Sequence, residues 1–314
     1  MNTRLRGTLC GIGAAVCYGT NPLGAINLYN DGISASATLF YRFALACLTL
    51  GIMMAVQRKS FAVTRRELGI FALLGVFMST SSTTLYFSFL FMDVGVASTL
   101  LFVYPVMVAV IMATMFKEKV TKTTILAITL ALAGIALLNR SGDGTALSLW
   151  GVTLVMLSSL TYAVYIVVVN KSPLRMSSVK LTFYVLFFGM FTILGYTLAL
   201  GEQIQWLTTP RQWAYALQLA WVPTVLSLVF MAVSVRDIGS TPTAIMGAIE
   251  PITAVAIGVV CFDENFTMRL AAGMVLILTA VILIIAGKEM SPQKITLVVG
   301  KIGRRLAKTW RWKQ

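Results

Sequence analysis

The chain has 314 residues, 58% of them hydrophobic and 11% charged, with a mean hydropathy of +0.86 and a formal net charge of +14. An ordinary soluble domain is about 45–50% apolar and about 25% charged, so this much apolar surface needs lipid to cover part of it. No histidine is present, which removes the commonest metal ligand and the commonest general base together.

A membrane-spanning helix requires about 20 mostly apolar residues, because about 30 Å of hydrocarbon is crossed at about 1.5 Å per residue. The first such segment, 7–28, follows a basic stretch from Met1 to Arg6 in the manner of a secretory signal. Its apolar run is too long for a signal and further spans follow, so it reads as helix 1. It carries Tyr18 and an Asn21-Pro22 step. Segment 36–56 holds Arg42, the one basic residue away from the ends of a span. That guanidinium could meet a substrate carboxylate or pair with an acid; the competing reading is that it snorkels to the outer interface.

Segment 68–91 contains six consecutive hydroxyls, Ser79 to Thr84, and then Tyr86. These hydroxyls cannot share one face of a helix, so some bond to the preceding turn and others, Ser82 and Thr83 among them, are candidates for a wet cavity. Segment 95–115 has Tyr104-Pro105, and 123–139 completes a set of five. The next are 149–169 with Tyr162 and Tyr165, 179–200, 213–235 with Pro223, 241–262 with Glu250-Pro251, and 268–287. The fold class is therefore an all-α membrane protein of ten transmembrane helices. The four cysteines lie singly within apolar runs and read as small buried residues, with no disulfide framework.

The basic residues orient the chain. If the N-terminus is cytoplasmic, only Arg140, Arg211 and Arg269 fall on the opposite side, while Arg42 is within a span and every other Lys and Arg is inside. The positive charge is thus a topology signal and gives no reason to expect nucleic acid. Both termini are expected in the cytoplasm. The tail 288–314 spaces Ile295, Ile302, Leu306 and Trp310 among basic residues. It reads as an interfacial helix on anionic lipid, or as a solvated tail.

The second half repeats the first. Pro105, Phe116, Glu118 and Thr121 recur as Pro251, Phe262, Glu264 and Thr267, at an offset of 146. Upstream, Gly7, Tyr18, Asp93 and Gly95 recur as Gly151, Tyr162, Asp237 and Gly239, at an offset of 144. Five spans per repeat is an odd number, so the second copy enters from the other face. The reading is two five-helix inverted repeats, 1–140 and 149–287, as in many secondary transporters.

The stretch Pro105-x10-Phe116-Lys-Glu118-x2-Thr121, followed by Gly134-Ile-Ala-Leu-Leu, resembles the repeat signature of the EamA family. That family lies within the drug/metabolite transporter superfamily. Glu250-Pro251-x10-Phe262-Asp-Glu264-x2-Thr267 resembles it more closely still. The resemblance implies an inner- or plasma-membrane carrier with a central cavity between the halves, exporting amino acids and related metabolites, with no bound cofactor. Tyr104 stands where a second copy of Glu250 would be, so a carboxylate role at that level is single.

Glu250 is the one acid deep inside a span. A charge there is costly unless paired, wetted or protonated, so it is a candidate for proton coupling or amine binding. The alternative is a structural carboxyl bonded to backbone freed by Pro251. Tyr18, Tyr86, Tyr104, Tyr162 and Tyr165 offer rings and hydroxyls suited to an amphipathic solute, or ordinary helix packing. Pro22, Pro105, Pro223 and Pro251 are candidate hinges, since proline frees a carbonyl and bends the helix. Spans 4 and 9, with 1, 3, 6 and 8, are expected to line the site. The expected partners are a small-molecule substrate, protons as a candidate coupling ion, and the bilayer. A nucleotide-sugar, lipid or drug carrier on the same fold is the runner-up, weakened by the single basic residue available. An enzyme lacks a nucleophile–base pair or metal cluster, and a receptor would not need the repeat.

Overall fold

The computed structural model describes residues 2–118, 120–138, 148–172 and 176–289. Among these, every regular element is helical. In chain order they are α1 (Thr3–Gly19), α2 (Asn21–Asn30), α3 (Ala35–Val56), α4 (Arg65–Ser88), α5 (Val94–Leu101), α6 (Tyr104–Met115) and α7 (Lys122–Leu137) in the first half. The second half has α8 (Leu149–Lys171), α9 (Ser178–Ala199), α10 (Pro210–Ala220), a π-helical turn (Trp221–Leu226), α11 (Ser227–Ile238), α12 (Ser240–Met246), α13 (Ile249–Phe262) and α14 (Met268–Glu289).

Caps written in the sequence set the helix starts. Ser34 takes the amide of Ala37, and Thr64 with Glu67 forms a reciprocal capping box ahead of α4. Ser148, Ser177 and Thr209 cap α8, α9 and α10 in the same way. Among the described residues nine helices, counting broken ones as single spans, are long and apolar enough to cross a membrane. The segment expected at 123–139 is the exception. Lys122–Leu137 is apolar but has 16 residues, about 24 Å of helix. The basic tail beyond Glu289, and Arg140 and Arg175 of the charge argument, lie outside the described residues.

Beside a buried apolar core, the chain exposes large apolar side chains and buries hydroxyls. Leu48, Val56, Trp206 and Met268 are well exposed, while Ser79, Ser158, Ser159, Thr197 and Ser234 are fully buried. Lipid is as apolar as leucine, so polar and small residues go where helices meet. Ser81 and Ser158 exchange hydrogen bonds between α4 and α8, with Ser158 Oγ to Ser81 O at 2.7 Å. Gly134 lies so near α14 that a Cβ there would stand 2.7 Å from Ile277 and 3.0 Å from the Gly273 carbonyl, which is why α7 and α14 can pack along their length.

The packing pairs elements of one half with elements of the other. α1 packs on α11 and α13; α8 packs on α4 and α6. α3 packs on α9, and α7 on α14. The helices of the two halves thus interleave around a common centre.

Candidate functional site

Four spans are broken near their middles, and a proline sits at each break. α1 ends at Gly19 and α2 restarts with Asn21-Pro22. α5 gives way to α6 at Tyr104-Pro105, and α12 to α13 just before Glu250-Pro251. Pro223 lies within the π-helical turn. A proline cannot donate to the carbonyl four residues back, so each break needs local substitutes. At the first, the Thr20 hydroxyl donates to Cys17 O at 2.7 Å and Asn21 Nδ2 to Tyr18 O at 2.8 Å. In the π-helical turn, Thr224 Oγ1 donates to Leu219 O at 3.0 Å, the carbonyl that Pro223 leaves without a partner.

These breaks surround a cavity of about 560 Å³. Its wall comes from both repeats and includes Tyr18, Asn21, Arg42, Ser82, Tyr104, Pro105, Tyr162 and Glu250. The expected spans 1, 3, 4, 6, 8 and 9 all contribute, and spans 2 and 10 contribute as well, through Arg42 and through Val281 and Ile284. The lining is exposed toward one end of the bundle. Asn170, Met231, Val235 and Ser240 belong to it and are exposed, all at the end that carries the N-terminus. Deeper in the bundle, Asn21 and Arg42 are 6% and 3% exposed.

Arg42 does not snorkel. Its Nη1 donates to the Tyr86 hydroxyl at 3.0 Å and its Nε to Thr224 Oγ1 at 3.1 Å. The Tyr86 hydroxyl in turn donates to Asn21 Oδ1 at 3.2 Å. The guanidinium also lies 5.9 Å and 5.6 Å from the ring centres of Tyr18 and Tyr86. The interfacial reading fails because these neutral partners, drawn from three other helical segments, outcompete the route to the surface. Every one of them is uncharged, so the positive charge has no anion in contact among the described residues.

Glu250 faces the same cavity and forms no ion pair or hydrogen bond through its side chain with any described residue. The backbone freed at Pro251 is not what holds its carboxylate. Beside it, the rings of Tyr104 and Tyr162 meet edge-on at 4.7 Å, and Tyr165 stacks behind Tyr162 at 5.6 Å.

Not every expected residue reaches the wall. Tyr86 is fully buried behind Arg42, and Tyr165 lies behind Tyr162. Thr83 points to α9, donating to the Tyr196 hydroxyl at 3.3 Å. Pro22, Pro223 and Pro251 sit outside the lining, while Pro105 is part of it. Other hydroxyls of the run turn back on their own helix, Ser79 to Val76 O and Thr84 to Thr80 O. Met78, Ser81, Ser227 and Asn170 line the cavity without having been singled out. A signal existed for part of this: Gly11, Ala14 and Tyr18 form one small-residue stripe on α1, and Tyr162, Ile166 and Asn170 one face of α8. Among the described residues no group of three or more acidic, Cys or His side chains could hold a metal ion.

A sequence model of the EamA-like transporter family matches residues 5–140 and again 149–286. The chain belongs to this family. It is therefore a multi-pass membrane transporter of the drug/metabolite transporter superfamily, built from two EamA repeats. An uncharacterised transporter of Archaeoglobus fulgidus is 29% identical over 192 residues, spanning 61% of this chain and 67% of the relative. The uncharacterised transporter YetK of Bacillus subtilis is 24% identical over 236 residues, spanning 72% of this chain and 70% of the relative. A crystal structure superposes with a TM-score of 0.64 at 15% identity, over 89% of this chain and 96% of the other. At that identity the likeness concerns the fold alone.

Proposed function

We propose that this EamA transporter is a secondary carrier exporting amino acids or related small metabolites by alternating access around the central cavity. The observation that carries the reading is the disposition of charge. One carboxylate, Glu250, and one guanidinium, Arg42, face a single largely apolar cavity, and neither is neutralised by the other through contact. A zwitterion supplies the missing partners: its ammonium to Glu250 and its carboxylate to Arg42. The rings of Tyr104 and Tyr162 would bound its side chain. A phosphate-bearing solute would want several basic groups, and Arg42 is the one basic residue of the lining.

On this reading Lys122–Leu137 is the tenth span, thin enough at its ends to need local bilayer adjustment. The five-helix repeats are inverted with respect to each other. The reciprocal packing supports this: α1 meets α11 and α13 as α8 meets α4 and α6. The charge bias supports both termini in the cytoplasm, and the family supports a cell (inner) membrane. The cavity then opens to the cytoplasm, the side from which an exporter loads.

The test is transport in proteoliposomes with a panel of radiolabelled amino acids, wild type against Glu250→Gln, with and without a pH gradient. A substrate that moves, with gradient dependence lost in Glu250→Gln, assigns coupling to this carboxylate. Full activity of Glu250→Gln with unchanged gradient response removes it from the mechanism. If nothing on the panel moves, the amino-acid reading gives way to drugs or sugar conjugates.

A further inference from the structure

Away from the end that carries the N-terminus, the cavity lining is buried, Asn21 and Arg42 included. On that buried side α5 packs along α13. The repeat mates of this pair, α12 and α6, make no comparable packing at the exposed end. Glu264, in the turn after α13, places its carboxylate on the N-terminus of α5. Oε1 accepts the Val94 amide, and Oε2 accepts the Gly95 amide at 3.1 Å. The first amides of a helix have no partner within it, so this side chain, 170 positions away in the chain, satisfies two groups that α5 cannot satisfy itself.

The turn is shaped for the purpose. Asp263 takes the left-handed conformation at φ 54°, which folds the chain back so that the Glu264 amide bonds Gly258 O at 3.1 Å. The absence of a side chain at Gly258 makes room for the carboxylate, where a Cβ would overlap it. A Cβ on Gly95 would stand 3.1 Å from Val255 and 3.2 Å from Glu264 Oε2. Both helices are thus bare at the point where the acid crosses between them.

We propose that Glu264 is the latch of the buried side: its carboxylate ties the N-terminus of α5 to α13, and the cavity opens on that side only when the two amides are released. This rests on the alternating-access reading and adds the contact that sets the resting conformation. A purely structural cap would persist in every conformation. The latch breaks in one and forms in the other.

The experiment measures the gap directly and uses no substrate, so its outcome is independent of the transport panel. Spin labels go on native Cys261, which is exposed at the end of α13, and on Phe91→Cys, exposed beyond α4, with Cys10, Cys17 and Cys47 replaced by alanine. In nanodiscs the otherwise native protein is expected to give mainly one short distance. Glu264→Ala leaves two amides without acceptors and is expected to raise the longer-distance population about tenfold. An unchanged distribution in a monodisperse Glu264→Ala protein overturns the latch. In the wild type, where misfolding of a variant plays no part, hydrogen exchange at Val94 and Gly95 gives a second reading. Protection weaker than that of Leu100 within α5 supports a latch that opens; protection equal to that of Leu100, as a permanent cap would give, or exchange as fast as that of an unbonded amide overturns it.

Discussion

A guanidinium inside a membrane-spanning bundle must find acceptors within the protein, because lipid offers none. Arg42 finds them in Tyr86 and Thr224, and Tyr86 in turn is fixed by Asn21. The Tyr86 backbone adds a further tie, since its carbonyl accepts the Tyr29 hydroxyl at 3.1 Å. Removing one hydroxyl from this chain leaves a buried charged donor and a buried amide oxygen unmatched. Tyr86→Phe is therefore expected to lower stability by about 1–3 kcal/mol, read as a fall in the thermal midpoint of the detergent-solubilised protein. Because Tyr86 lies behind Arg42 and outside the cavity lining, the same variant should weaken substrate binding by letting Arg42 drift, and should do so without changing the cavity's volume. An unaltered midpoint would mean that the Tyr86 hydroxyl contributes nothing to holding Arg42 and Asn21 in the folded protein.

At the scale of elements, the broken helices are where sequence, geometry and site converge. Pro223 shows the causal order most clearly. It has no N–H to give Leu219, the helix widens into a π turn, and the orphaned carbonyl is taken by the Thr224 hydroxyl. That same hydroxyl accepts from Arg42 Nε. A proline outside the cavity lining thus helps to hold the cavity's cation. Pro223→Ala restores the missing donor and is expected to stabilise the helix by about 1–3 kcal/mol. It is also expected to slow transport, because the π turn and the Thr224 contact both relax. Wild-type transport rates in Pro223→Ala would show that this break is a packing feature with no part in the cycle.

For the whole molecule, the balance between the two ends is a protonation equilibrium as well as a packing one. Burial pushes the Glu264 carboxyl above its ordinary range, and the nearby charge of Asp93 pushes it further, against the pull of the Gly95 and Val94 amides. The latched carboxyl therefore holds a proton to higher pH than one released into water. By linkage, acid on that side favours the latched state, and the advantage is lost as pH rises through the raised value. The long-distance population in the spin-label measurement is expected to grow with rising pH in the wild type and to stay flat in Glu264→Ala. A wild-type distribution that grows on acidification would contradict the sign.

Ten apolar segments, the repeat, the family and the charge bias were legible in the linear sequence, because lipid imposes a length and a composition on every span and duplication preserves motifs at fixed offsets. Glu250, Arg42, Tyr18, Tyr104 and Tyr162 stood out because ionisable and aromatic side chains at that depth are expensive or unusual. What the linear order could not say was which way each of them turns. Tyr86 and Tyr165 are as conspicuous as Tyr104, yet they stand behind the cavity, and Thr83 turns to α9. Arg42 could as well have reached the surface until three neighbours from other helices held it. The buried side was less visible still, since Glu264 acts on Val94 and Gly95 across the bundle. Spacing along a helix sets faces, but only the docking of helices from both repeats decides what each face meets.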